Sequence, residues 1–253
     1  MFKVLNRNLR YLFILNTAFG FSVQLVTPLF PLFLSNLGAT ASENAWVISL
    51  GGLVATTLML PAGLFMDRLG KRNLLLSSLV VNSVIMFMMA NAQTWQQVLP
   101  LFIIYSSSGA LFMPARMAMI TDNSTPDTRA SVFGIMNSSW PLAGVVSTLI
   151  SGYLIQTSGW RQVFLVGSAI NAISILPSLR IEKQEVQRDS TGGGFRELFR
   201  GDTAPVLLTF FVYGILLTTA MGGINLIIPL YLVSRFSLNA QQVALFFTAQ
   251  NLL

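Results

Sequence analysis

Long stretches without charged residues dominate the pattern of hydrophobic and polar positions along the chain. Residues 11–66 contain a single charge, Glu43, and residues 73–115 contain none, although the polar run 91–97 divides them. Roughly 20 apolar helical residues cross a bilayer core about 30 Å thick. The stretches therefore predict membrane-spanning helices, which we call spans and number in chain order. Span 1 covers 11–34, span 2 44–66, span 3 73–92, span 4 98–121, span 5 130–156, span 6 161–180 and span 7 205–234, and span 8 begins near 240.

The lysines and arginines of the predicted loops lie mostly on one side of the membrane. If the N-terminus is inside, 12 of them lie in inner loops and two, Arg161 and Arg235, lie outside. Cytoplasmic loops of membrane proteins carry such an excess of positive charge. The sequence therefore predicts a multi-pass protein of the plasma (inner) membrane with a cytoplasmic N-terminus. The inner residues are Lys3, Arg7, Arg10, Arg68, Lys71, Arg72, Arg129, Arg180, Lys183, Arg188, Arg196 and Arg200.

Composition narrows the function classes. Only 9% of the residues are charged and 53% are hydrophobic, whereas a soluble domain carries about 25% charged residues. The chain has no histidine and no cysteine, which removes histidine acid–base catalysis, thiolate nucleophiles and the usual zinc ligands. Because no acidic residue lies within a predicted span, we expect neither an enzyme nor a bound cofactor or metal. The net charge of +6 lies at span ends rather than on one face, which argues against a nucleic-acid partner.

One long polar connector separates two groups of spans. Residues 181–204 contain five acids and four bases, and residues 192–194 are three consecutive glycines that predict a flexible hinge. The apolar residues of 195–199 recur at helical spacing and predict a short helix on the inner surface. We therefore predict an N-terminal six-helix transmembrane bundle at 1–180, a cytoplasmic linker at 181–204, and the truncated start of a second bundle, with span 7 and part of span 8, at 205–253.

Two sequence echoes predict internal repeats. Residues 63–72 and 152–161 both place two glycines seven positions apart and an arginine two positions later, and the two runs are 89 residues apart. The first run lies at an inner loop and the second at an outer loop, so spans 1–3 and 4–6 would be inverted copies. Residues 31–34 are echoed at 229–232, both at an outer span end. The sequence therefore predicts an all-α integral membrane fold with 3+3 inverted repeats in the first bundle. It also predicts a second bundle whose first helix, span 7, has the same orientation as span 1.

The loop between spans 2 and 3 combines glycines and charges in a dense pattern. It reads Gly-x-x-x-Asp-Arg-x-Gly-Lys-Arg, with the positions filled by Gly63, Asp67, Arg68, Gly70, Lys71 and Arg72. This pattern resembles the signature loop of the major facilitator superfamily, and its place between spans 2 and 3 agrees with that family. The resemblance implies two six-helix bundles around a central cavity and transport by alternating access. It also implies that this chain is part of a longer protein.

The resemblance further implies that this loop is a conformational latch, a contact that holds one state of the transport cycle. Asp67 lies at the C-terminal end of span 2, where an anion is poorly placed unless another group satisfies it. Gly70 allows a tight turn with positive φ, and Gly63 allows helices to pack closely. The alternative is that the loop charges only set topology and that Asp122 is a solvated helix end. We call the following set the latch residues: Gly63, Asp67, Arg68, Gly70, Lys71, Arg72 and Asp122.

Prolines and glycines predict where spans bend and where they touch. Pro28 and Pro31 are expected to break the outer end of span 1, as in many helices that line cavities. Small residues let membrane helices approach one another closely. Close contacts within the first bundle are therefore expected at Gly63, Gly109, Gly134, Gly144 and Gly152.

Polar and aromatic residues inside the spans are candidates for the wall of a substrate cavity. The alternative for each is a hydrogen bond between neighbouring helices, worth about 0.6 kcal/mol on average. Arg116 is the one charge inside a span rather than at its first or last residue, and it is either functional or extended toward the inner headgroups. The cavity candidates are Asn16, Gln24, Thr27, Arg116, Asn137, Trp140, Tyr213 and Asn225.

The lack of acids within the spans also predicts what such a carrier moves. A cavity poor in charge suits a small neutral or lipophilic solute, which favours a secondary-active transporter of the drug- or sugar-efflux type. If transport is coupled to a proton or cation, that ion would bind at Asp67 and Asp122 or at an acid outside the spans of this sequence. The other alternative is an uncoupled carrier. A seven-helix receptor or channel without carrier activity matches the span count but not the inner N-terminus or the signature loop. The expected partners are the solute and the lipid bilayer.

Overall fold

The described part of the chain is almost entirely helical. A computed structural model describes residues 4–59, 61–182 and 203–252, and within these ranges there are ten α-helices and no β-strand. The linker features predicted at 192–194 and 195–199 lie outside the described residues. The helices are α1 (Arg7–Val26), α2 (Phe30–Asn36), α3 (Ala41–Met59), α4 (Ala62–Leu69), α5 (Lys71–Met89), α6 (Trp95–Asp122), α7 (Pro126–Ser158), α8 (Trp160–Leu179), α9 (Thr203–Phe236) and α10 (Ala240–Leu252).

Six helical segments of the described chain are long and apolar enough to cross a membrane. They coincide with spans 1 and 3 to 7 of the sequence prediction, and they confirm the all-α membrane fold. The start of span 8, predicted near residue 240, is observed as α10. The six segments are Arg7–Asn36, Lys71–Met89, Trp95–Asp122, Pro126–Ser158, Trp160–Leu179 and Val212–Phe236.

Span 1 breaks where its two prolines predict. α1 ends at Val26, a 3₁₀ turn covers Thr27–Leu29, and α2 continues the span from Phe30. Pro28 and Pro31 each lie in the first turn of the new segment. Backbone N–H groups in a first turn have no partner within the helix, so the N–H that proline lacks is not needed there. The outer end of this span is therefore a separate short helix.

Span 2 differs from the continuous helix predicted over 44–66. α3 ends at Met59, and α4 begins at Ala62 with Pro61 as its N-cap. Proline inside a helix removes one hydrogen bond and clashes with the preceding turn, so the chain starts a new helix there. The first part of the predicted latch loop, with Gly63, Asp67 and Arg68, consequently lies on a separate helix of eight residues, α4.

The turns between the second and third spans of the two predicted repeats share one backbone conformation. Gly70 has φ +81° and Gly159 has φ +82°, a region that residues with a Cβ rarely adopt. Each glycine caps the preceding helix through its N–H, to the carbonyl of Met66 at 2.8 Å and of Ile155 at 3.2 Å respectively. In both cases the next helix begins at the following residue. The two similar sequence runs, which are 89 residues apart, therefore have the same helix–glycine–helix geometry.

The helices around α1 form the core of the first bundle. α1 packs along α7 and α8, α5 packs between α6 and α8, and α3 packs against α6. Phe19 of α1 stacks on Phe112 of α6 with their ring centroids 3.9 Å apart. α10 packs along α7, and α9 lies mainly beside α3. α9 and α10 therefore meet the preceding helices on their α3 and α7 sides respectively.

The glycines play different roles from those expected from sequence. A Cβ built at Gly63, Gly109 or Gly134 would meet no atom within 4 Å, so close packing does not explain these three. At Gly144 and Gly152 a Cβ would meet neighbouring atoms at 2.6–2.8 Å, but much of that contact comes from α10 rather than from the first bundle. The expectation is therefore wrong for Gly63, Gly109 and Gly134, which face open space, and for Gly152, which lies against α10. Gly144 lies against Gln24 of α1, as expected, and also against Asn251 of α10.

Candidate substrate cavity

A cavity of about 320 Å³ opens between α1, α3, α5, α6, α7 and α9. Its described wall contains no charged side chain, and its polar side chains are those of Thr56, Asn82, Tyr105 and Ser106, together with the indole of Trp140. Ligand pockets are commonly of this size and largely apolar, with a few polar groups. The full wall is Phe19, Val23, Gly52, Ala55, Thr56, Met59, Asn82, Tyr105, Ser106, Gly109, Ala110, Met113, Trp140 and Gly214.

Trp140 is the cavity candidate from the sequence that lines this space. Its indole lies against Gly20, where a Cβ would stand 3.0 Å from the ring, so a larger residue there would push the indole aside by a few tenths of an ångström. The indole N–H donates to Asn16 Oδ1 at 3.0 Å. Phe19 lies beside it, with ring centroids 6.2 Å apart. Trp140 is therefore held in place on two sides and presents a fixed aromatic surface to the cavity.

Asn16 supports this surface from behind. It is fully buried, and its amide nitrogen donates to the Met136 carbonyl at 2.9 Å and to Ser139 Oγ at 2.7 Å. Both amide protons and the carbonyl are therefore engaged with α7 or the Trp140 indole. In this structure Asn16 makes interhelical hydrogen bonds, the alternative considered for it, and it positions Trp140 rather than lining the cavity.

A second buried polar group escaped the sequence analysis. Asn82, in the cavity wall, donates to Ser108 Oγ at 3.1 Å and accepts from Asn171 Nδ2 at 2.8 Å. Asn171 is fully buried and also donates to Ser22 Oγ at 2.9 Å. This contact could have been predicted from the sequence, because Asn82 and Asn171 are 89 positions apart, the same offset that relates the two glycine turns. The two segments predicted to be inverted repeats thus contribute asparagines at matched positions that contact each other at the cavity wall.

The other cavity candidates lie elsewhere. Gln24 donates to Asn251 Oδ1 of α10 at 3.0 Å, and Thr27 is half-buried in the 3₁₀ turn. Tyr213 is 62% exposed and Asn225 is also exposed, both on α9. None of these four belongs to the described cavity wall.

Arg116 points into the bundle instead of toward the end of its helix. The residue is only 2% exposed, and its Nη2 donates to Asn137 Oδ1 of α7 at 2.8 Å. The extended, headgroup-seeking conformation considered from sequence is therefore not the one observed. Arg116 and Asn137 lie next to the cavity without lining it.

Several latch residues tie helix ends together at one end of the bundle, which we call the Gly70 end. Lys71 Nζ lies 2.5 Å from Asp122 Oδ2, and this pair joins the start of α5 to the end of α6. Arg72 Nη2 donates to the Leu179 carbonyl at 2.6 Å, at the end of α8. These contacts hold three helix ends in register, so Lys71, Arg72 and Asp122 have defined structural partners.

Three latch residues on α4 have no such partner. Asp67 and Arg68 are exposed, and neither makes a hydrogen bond or ion pair within the described part of the chain. Gly63 faces open space, as noted above. The Asp67 carboxylate therefore stands at the C-terminal end of a short helix, with its unfavourable dipole, and without a described cation.

The contact between α7 and α10 is built from small and hydroxyl residues. A Cβ at Gly152 would stand 2.6 Å from Ala244 Cβ and 3.0 Å from the backbone of Gln241. One turn away, the hydroxyls of Thr148 and Thr248 are 2.8 Å apart in a buried hydrogen bond. The two helices therefore approach closely along one face of α7.

Comparison with known proteins places the chain in a family. The family described as Major Facilitator Superfamily matches residues 12–253. The chain is 26% identical over 148 residues to a methylenomycin A resistance protein of Bacillus subtilis (strain 168), covering 58% of this chain and 32% of that protein. It is also 26% identical over 218 residues to the quinolone resistance protein NorA of Staphylococcus aureus (strain MRSA252), covering 86% of this chain and 52% of that protein.

Solved structures show the same fold. A bacterial homolog of the human lysosomal transporter Spinster, in an inward-facing unoccupied conformation, aligns with TM-score 0.74 at 16% identity, covering 96% of this chain and 58% of that one. The nucleoside transporter NupG aligns with TM-score 0.74 at 15% identity, covering 98% and 65%. The chain thus spans about half or less of the length of the curated relatives it matches. With the family match over residues 12–253, the glycine turns and the membrane helices, the chain belongs to the major facilitator superfamily.

Proposed function

We propose that this chain forms the cavity-bearing part of a secondary-active transporter that moves small neutral or lipophilic solutes by alternating access. The observation that carries the proposal is the cavity of about 320 Å³, whose described wall has aromatic side chains and no charge. An uncharged wall does not compensate the desolvation of a strongly charged solute, whereas it buries apolar surface favourably. Two relatives carry names of drug-resistance proteins, which supports the efflux type.

Alternating access requires contacts that form in one state and separate in another. The α7–α10 face is one candidate, because it joins the first bundle to the segment after the linker through Gly152, Thr148 and Thr248. Asp67 is the other, because an anion without a described partner at a helix C-terminus gains most from a cation or helix N-terminus met in another state. In this proposal three of the latch residues, Lys71, Arg72 and Asp122, stabilise the Gly70 end, and a fourth, Asp67, closes the latch.

Efflux from intact cells tests the transport function. We expect a drug-sensitive bacterium that expresses the longest reading frame containing this sequence to expel a preloaded fluorescent quinolone at a saturable rate. Replacing Trp140 with alanine should lower that rate about tenfold, equivalent to about 1.4 kcal/mol, because the fixed aromatic wall is lost. Trp46→Ala is the matched control, since Trp46 is 66% exposed and outside the cavity wall. Equal efflux in cells with and without the protein would contradict the proposal.

The proposed orientation has the Gly70 end in the cytoplasm. Because the chain has no native cysteine, single cysteines can be introduced at Asp127 and at Gln93, which are both exposed and lie at opposite ends of the predicted spans. An impermeant thiol reagent added to intact cells should label Gln93→Cys, and Asp127→Cys should react only after the membrane is permeabilised. The reverse labelling pattern would overturn the orientation.

A further inference from the structure

Arg116 is a buried charge without a charged partner. Only 2% of the residue is exposed, and of its five N–H donors one bonds to Asn137 Oδ1 at 2.8 Å. Its Nη1 faces the weak acceptor Met113 Sδ at 4.0 Å, and its Nε has no hydrogen bond within the described residues. No described carboxylate forms an ion pair with it. Burial of a cation is costly unless an anion or several acceptors compensate it, so this guanidinium favours an anionic partner that the described residues do not supply.

The guanidinium adjoins the cavity through two neighbours. Met113 on α6 and Trp140 on α7 both line the cavity. Arg116 is three residues after Met113, and Asn137 is three residues before Trp140, so each stands on the same helix face one turn closer to the Gly70 end. Met113 touches the guanidinium as well as the cavity, and its unbranched side chain adopts new conformations at little cost. A short movement of this one side chain would connect Arg116 to the cavity.

We propose that Arg116 is a carboxylate-binding subsite of the cavity, which makes the preferred solute an aromatic or otherwise lipophilic molecule with a single carboxylate. This inference rests on the proposed transport function and refines its substrate class. The apolar body of the solute packs among Phe19, Tyr105 and Trp140, and its carboxylate accepts two parallel N–H bonds from Arg116. Asn137 fixes the guanidinium in the orientation that presents the remaining donors.

A matched pair of ligands tests the subsite directly. Naphthylacetate and naphthylacetamide have nearly the same shape and differ in charge. We expect the purified chain in lipid nanodiscs to bind tritiated naphthylacetate about tenfold more tightly than the amide, because a charge-assisted pair is roughly twice as strong as a neutral hydrogen bond. Arg116→Gln should remove this preference by weakening acid binding alone, and Arg116→Lys should restore part of it.

The outcomes separate the subsite from the wider function. Equal affinity of the wild-type chain for acid and amide, or an equal loss of both in Arg116→Gln, would overturn the subsite, and would indicate that any anion meeting Arg116 is a side chain of the protein itself. Binding of the amide together with continued quinolone efflux would then leave the transport function standing. Failure to bind either compound would overturn both the subsite and the cavity on which it depends.

Discussion

The substitution Gly152→Val is expected to separate α10 from α7. Even the first carbon of the new side chain would stand 2.6 Å from Ala244 Cβ and 3.0 Å from the Gln241 backbone. The contact with Ala244 is shorter than real Cβ atoms show, and the tight contact with Gln241 is with backbone, which cannot rotate away. Overpacking of this kind typically costs about 1–3 kcal/mol, enough to displace a short helix such as α10 from its seat.

Disulfide trapping measures that displacement. The Thr148 and Thr248 hydroxyls are 2.8 Å apart, and the chain has no native cysteine, so cysteines at both positions should cross-link on oxidation in the membrane. We expect the cross-link to form readily in the otherwise native chain and to fall to background with Gly152→Val. Gly134→Val is the matched control on the same helix, because a Cβ there meets nothing within 4 Å. Equal cross-linking in the two valine variants would show that the close contact does not exist.

Asp67→Asn is expected to lower solute efflux at least about tenfold, while the protein still inserts and folds. The exposed Asp67 carboxylate has no described partner in this structure. Its removal should therefore destabilise this state little, and should strongly destabilise the state in which it binds a partner. Lys71→Gln should have a smaller effect, because Arg72 still joins α5 to the end of α8. Efflux from preloaded cells at matched expression gives the comparison.

Asp127→Asn is the control for this prediction, since Asp127 is an exposed acid in the first turn of α7 and lies outside the latch residues. A latch role predicts normal efflux in this control and a large loss at Asp67. If Asp67→Asn, Lys71→Gln and Asp127→Asn all transport normally, these charges only set topology.

Local chemistry explains which parts of the fold could be predicted. The spans follow from a bilayer's need for long apolar helices, and the break in span 1 follows from two prolines that cannot continue a helix. The turn at Gly70 follows from the positive φ that its place between two helices requires. The break in span 2 had the same kind of signal in Pro61, but the apolar residues around it suggested one continuous helix.

Contacts between distant helices were the part that local pattern could not supply. Gly152 reads as a packing residue in any membrane helix, and only the tertiary structure shows that its partner is α10. Asn16 was expected among the cavity candidates, but the fold turns it toward α7, where it holds Trp140. The direction of the Arg116 side chain depends likewise on Asn137, which is 21 residues away.

Counterflow in proteoliposomes tests the central claim, that an uncharged cavity serves a carrier with alternating access. Vesicles containing the longest reading frame that includes this sequence are preloaded with unlabelled solute, and entry of the labelled form is followed. The account predicts that preloading causes a transient accumulation of label above its equilibrium level, because the same cavity carries labelled solute inward and unlabelled solute outward. It also predicts that Trp140→Ala reduces this peak. Label entry that is the same with and without preloading would contradict it and would indicate a channel or no transport.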